Sequence, residues 1–134
     1  MSIVLDFLKK RVPIAVKKFR AENDVMITYK ELKTIPINVP IPIEKDNPNA
    51  GEYIRIPSPN KDSLMFTVTM MAGHFWQLHH HDCRETCLVF KGHLKDHITK
   101  QKAGAAQVLT FEGYQPHYVE AKSDSIFYVE FMKP

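Results

Sequence analysis

Two periods of apolar residues divide this chain. From Ser2 to Glu22, Val4, Leu8, Val12, Ala15 and Phe19 recur at helical spacing with lysines and arginines opposite them, which predicts an amphipathic helix capped by Ser2 and kinked at Pro13. Beyond it the period falls to two. Ile35, Ile37, Val39, Ile41 and Ile43 alternate along 34–44, while Pro36, Pro40 and Pro42 share the other parity. Prolines on one parity remove amide donors from one side only, so the stretch reads as an edge strand or an extended strap with one buried apolar face. Glu44 to Gly51 reads as a loop, 52–57 as a short strand and 58–63 as a second loop.

From Leu64 onward the pattern is that of strands at about ten-residue spacing, over 64–72, 75–81, 85–91, 93–99, 106–111, 117–121 and 125–132. The last alternates Phe127, Val129 and Phe131 on its core face. That rhythm predicts an all-β barrel or sandwich preceded by a helical segment. The chain divides into a helix over 1–22, a proline-rich strap with edge strands over 23–63 and a barrel core over 64–134, all within one domain.

Within the barrel core, the stretch Gly73 to Gly92 concentrates the chemistry. His79 and His81 are two apart and share a strand face, and Glu85 keeps that parity on the next strand if a tight turn lies between. Imidazoles and one carboxylate suit a divalent transition ion such as iron, manganese, nickel or zinc, and His117, after a glycine turn, is the fourth candidate ligand. His80 and His74 have the opposite parity, and His93 and His97 read as surface residues. Cys83 and Cys87 lack the second pair that a structural zinc site needs; Cys87 shares the parity of Glu85 and faces the interior. Leu88 and Phe90 then point outward, an apolar face that the N-terminal helix, the strap or a second subunit must cover, so a homodimer is expected.

Gly73, five residues, His79, one residue, His81, three residues, Glu85, six residues, Gly92 resembles the first motif of the cupin superfamily with every anchor present. Phe111 to Val119 resembles the second motif, with Phe111 at the usual proline and one extra residue between Gly113 and His117. The resemblance covers about residues 64–132. It implies a double-stranded β-helix, or jelly-roll, barrel with a metal inside, and it does not specify the reaction. A metalloenzyme of dioxygenase or isomerase type acting on a small-molecule ligand is the first functional reading; Phe75, Trp76, Gln77 and Tyr114 are expected at the barrel mouth and Glu85 as a proton acceptor. A non-catalytic module that binds or senses a metabolite or metal is the second.

Charge adds one boundary. Of a net charge of +3, residues 1–22 contribute six Lys/Arg against two Asp/Glu, leaving −1 for the remainder. A nearly neutral barrel argues against nucleic-acid binding, and the basic helix fits covering the barrel or a partner better than lying on a membrane. No apolar run reaches the length of a membrane span, and two closely spaced cysteines suit a reduced compartment, so a cytoplasmic protein is expected.

Overall fold

The computed structural model describes residues 25–134; the amphipathic helix expected over 2–22 lies outside them. The dominant layer is an antiparallel six-stranded sheet built from β2 (Ile41–Glu44), β3 (Asn47–Ile56), β4 (Ser63–Met70), β11 (Ser125–Met132), β6 (Arg84–Lys91) and β9 (Val108–Phe111), adjacent in that order. Alternation decides which way each strand faces. Leu64, Phe66, Val68 and Met70 of β4 are buried, as are Phe127, Val129 and Phe131 of β11 and Cys87 and Val89 of β6. Their register places Val129 between Phe66 and Cys87, and Phe127 between Val68 and Val89. Full burial of each such side chain contributes about 1.5–3 kcal/mol, which makes this face the main source of stability.

The second layer pairs β10 (Val119–Ala121), β7 (Leu94–Asp96) and β8 (Lys102–Ala103). Residues 73–79 extend it, running antiparallel to 117–121 through bridges Phe75 to Glu120 and His79 to His117. At the end of this layer β1 (Val25–Met26) pairs in parallel with β5 (His79–His80). Gly92, the last glycine of the motif, has φ +96°, and a Cβ there would stand 2.3 Å from Ser125 Oγ. Only glycine fits where β6 turns away from the start of β11.

Several expectations change in detail. The loop expected over 44–51 contracts to a turn at Lys45–Asp46, because Glu44 pairs with Asn47 and β3 begins there. The strap is a strand only at Ile41–Glu44, where β2 does form the sheet edge that its proline requires. Its continuous buried face is lost: Asn38 at φ +65° breaks the alternation, and Ile37 and Val39 are 42% and 43% exposed. Upstream, a short helix α1 (Tyr29–Lys33) was not anticipated. Thr28 accepts from the Glu31 amide while the Glu31 side chain reaches back to the Thr28 amide, a reciprocal cap. On the outer face of β6, Leu88 and Phe90 are exposed as their parity requires.

Candidate metal centre

His79 and His81 flank His80 at β5, Glu85 lies one turn later at the start of β6, and His117 is opposite His79 across a two-bond bridge. All four side chains are buried, and one ligand atom from each lies within 4.8 Å of the others. His79 Nε2 is 3.0 Å from His117 Nε2; Glu85 Oε1 is 3.0 Å from His81 Nε2 and 3.2 Å from His117 Nε2. The structure brings the four sequence candidates together, and such a group could hold a metal ion.

Hydrogen bonding at the far side of each ring decides which atom faces inward. His79 Nδ1 is 2.5 Å from the Gln77 carbonyl oxygen, His81 Nδ1 is 2.8 Å from that of Ile27 and His117 Nδ1 is 3.1 Å from that of Gln115. A carbonyl only accepts, so each Nδ1 carries the hydrogen and each neutral ring turns a lone pair toward the centre. Acceptors then face acceptors. Among the described residues, His81 Nε2 and Glu85 Oε1 are buried without a hydrogen-bond partner, although they lie 3.0 Å apart. Their approach is an ion-pair distance without a donor hydrogen, a costly arrangement that a cation between them would relieve. The donor set therefore fits a divalent transition ion.

Electrostatics within the cluster agree at Glu85 and His79, and at His117 they favour the protonated ring. Burial alone would raise the Glu85 carboxyl, but His117 and His81 outweigh it and hold Glu85 well below the usual carboxylate range. Burial lowers His79 far below the ordinary imidazole value, helped by His117 and His81, whereas Glu85 overcomes the burial of His117 and raises it. The second Glu85 oxygen has a separate partner: Cys87 Sγ donates to Oε2 across 3.1 Å.

One wall of the site comes from outside the motif. A cavity of about 70 Å³ adjoins the cluster, lined by Tyr53, Phe66, Trp76, Val129 and Phe131 and closed by Ile27, Leu32 and Ile35. Ile27 donates its amide to the His80 carbonyl, and the Tyr29 amide donates to Asp82 Oδ1 at 2.7 Å. Thus 25–35 is stitched along 79–82 and supplies the carbonyl that orients His81. Sequence reasoning missed this segment; the Thr28-x-x-Glu31 capping signature was its visible signal.

Of the residues expected at the barrel mouth, only Trp76 lines this cavity. Phe75 and Gln77 line a separate open cleft with Glu44, Lys45 and Tyr118, because a bend at Leu78 shifts parity by one residue. Tyr114 is 64% exposed at φ +65°, and it approaches the site only through its amide, which donates to the His81 carbonyl. His97 is half-buried, 2.7 Å from Glu120.

No protein-family model matches this sequence, and no curated protein sequence matches it. Solved structures do. An RmlC-like cupin from Shewanella frigidimarina is 13% identical, with 63% of this chain and 78% of that chain covered at a TM-score of 0.55. The chain has the cupin fold. An acetylacetone dioxygenase from Acinetobacter johnsonii shares that cupin barrel at 19% identity, with 74% and 71% covered and a TM-score of 0.56. An HTH_3 family transcriptional regulator from Vibrio cholerae matches at 18% identity and a TM-score of 0.55, over 63% of this chain and 52% of its own length. The chain thus spans about half of that regulator. Among the described residues, no helix is long and apolar enough to cross a membrane.

Proposed function

We propose that His79, His81, Glu85 and His117 hold one divalent transition metal ion, and that this cupin is a mononuclear metalloenzyme of dioxygenase or isomerase type acting on a small organic substrate. The convergence of three imidazole Nε2 atoms and one carboxylate oxygen, two of the four without a hydrogen-bond partner among the described residues, carries the reading. A bound ion would supply a Lewis-acid or redox centre with coordination positions left for a ligand.

The remaining work belongs to the chain. Carbonyls of Gln77, Ile27 and Gln115 fix the three rings, and the apolar walls exclude water. Among the described residues no lysine or arginine lines the cavity, which favours an uncharged and small portion of substrate extending from the cluster. The depressed pKa of Glu85 supports its role as ligand over the proton acceptor expected from sequence, since a weakly basic carboxylate takes a proton poorly. The similarity to an acetylacetone dioxygenase supports beginning with small neutral dicarbonyl compounds.

Elemental analysis of untagged protein purified without added metal tests the site: one ion per chain is expected, and none even after reconstitution refutes it. Substrate-dependent oxygen uptake by the iron- or manganese-loaded protein then tests the dioxygenase form. A binding or sensing role is the second reading, favoured by the similarity to a transcriptional regulator and by the bond from His81 to the segment that leads back toward the N-terminus. In that case ligand binds without turnover. The outward Leu88 and Phe90 support a homodimer, which sedimentation velocity checks.

A further inference from the structure

Glu85 and Cys87 lie two apart on β6, so both enter the barrel, where they are 5% and 2% exposed. The two oxygens of this carboxylate have different surroundings. Oε1 faces His81 and His117 at 3.0 and 3.2 Å, while Oε2 accepts the Cys87 thiol hydrogen at 3.1 Å. An ionised carboxylate only accepts, so the sulfur must be the donor. Phe111, Val129 and Phe131 fill the neighbouring registers of β9 and β11, so apolar side chains flank the pair.

We propose that Cys87 is the positioning residue of Glu85: its S–H holds Oε2 away from the histidines, so that the carboxylate presents Oε1 alone to the bound ion. The role rests on the metal reading above. Its consequence is the number of free positions. A carboxylate that binds through one oxygen leaves room for a ligand with two donor atoms, whereas one that closes through both oxygens takes up one of those positions. Partners of this kind, which orient metal-bound carboxylates, commonly change metal affinity by about 10–100-fold when removed. Cys87 is thereby a part of the site through its bond to Glu85.

The test uses the full-length chain loaded with Co(II), whose visible spectrum reports coordination geometry. Cys87→Ala and Cys87→Val both remove the donor, and valine also fills the space. Both are expected to weaken Co(II) binding about tenfold in chelator competition and to change the spectrum, while Cys87→Ser retains both within about threefold. Wild-type affinity and spectrum in the alanine and valine variants would overturn the role. So would a serine variant that fails as they do, because shape and not the hydrogen bond would then be responsible. A sulfur-to-cobalt charge-transfer band in the wild type would make Cys87 a ligand and overturn it too. Failure of the wild type to take up Co(II) at all overturns the metal reading itself, a result distinct from each of these.

Discussion

The two sides of the histidine cluster are held in different ways. His79 and His117 lean on carbonyls two residues before themselves, Gln77 and Gln115, in and beside the ladder that joins 73–79 to 117–121. His81 instead leans on Ile27, 54 residues away, in a segment that packs over the barrel from outside the motif. One side is therefore local and built as soon as the two strands pair. The other exists only when 25–35 is docked. The difference teaches that the segment closing the cavity is also the one that orients His81, so the cover and the cluster share one hydrogen bond.

The strongest way to break this comparison is to remove a ligand from each side. His79→Ala and His81→Ala are both expected to lose the metal and any activity together, and the thermal midpoint falls with the lost ligand-linked stabilisation, about 2.7 kcal/mol for a site filled at a hundred times its Kd. Only His81→Ala should also loosen the cover. Hydrogen exchange at the Ile27 and Tyr29 amides, bonded to His80 and Asp82, rises in that variant and stays near wild type in His79→Ala. Equal metal content in His81→Ala and wild type would remove the ligand role.

The same division explains what was legible beforehand. Parity placed His79 and His81 on one face, and the motif spacing placed Glu85 with them provided that a tight turn lay between, since a strand, such a turn and a second strand preserve the facing of side chains. Phe127, Val129 and Phe131 fell into the core for the same reason. The carbonyl of Ile27 has no such signature, because a backbone atom is identical in every residue and its place is set by tertiary docking. A one-residue bend at Leu78 likewise defeats parity, which is why Trp76 reaches the cavity and Phe75 and Gln77 do not. Local periodicity carries facing, but it carries neither bends nor the path of a distant segment.

Acid should act on both sides at once. His79 is held neutral in the fold, so unfolded chains bind its proton first and stability falls as pH drops through the ordinary imidazole range toward the lower value of His79. Glu85, depressed in the fold, adds a loss with the same sign as pH falls below the usual carboxyl range and through its own value. His117 has the opposite sign: its raised pKa stabilises the metal-free protein below the ordinary imidazole value, and that contribution disappears as pH rises through its own. Ligation needs neutral rings, so bound metal should leave as pH falls below about 6. Unchanged occupancy at pH 5, measured after gel filtration, would count against histidine ligation.

A gentler change sharpens the comparison from the cover alone. Asp82→Ala removes the acceptor of the Tyr29 amide without touching a histidine, at a cost of about 1 kcal/mol. Because that bond pins the segment whose carbonyl orients His81, metal should dissociate several-fold faster in a chelator chase while its stoichiometry stays at one per chain. A dissociation rate equal to wild type would show that the cover and the ligand set are independent.

Smaller still is the effect expected at the cap of α1. Thr28→Ala deletes the side-chain acceptor for the Glu31 amide and one half of the reciprocal cap, which costs about 1 kcal/mol locally. The five-residue helix positions Leu32 against the cavity, whereas Ile27 precedes the cap and keeps its own bonds to His80 and His81. The wall should therefore loosen while His81 stays oriented. Metal dissociation remains near wild type, and exchange at the Leu32 amide, which bonds the Thr28 carbonyl, quickens. If Thr28→Ala released metal as fast as Asp82→Ala, the helix and not the Ile27 carbonyl would be what holds the distal side of the cluster, and the contrast between its two supports would need to be redrawn.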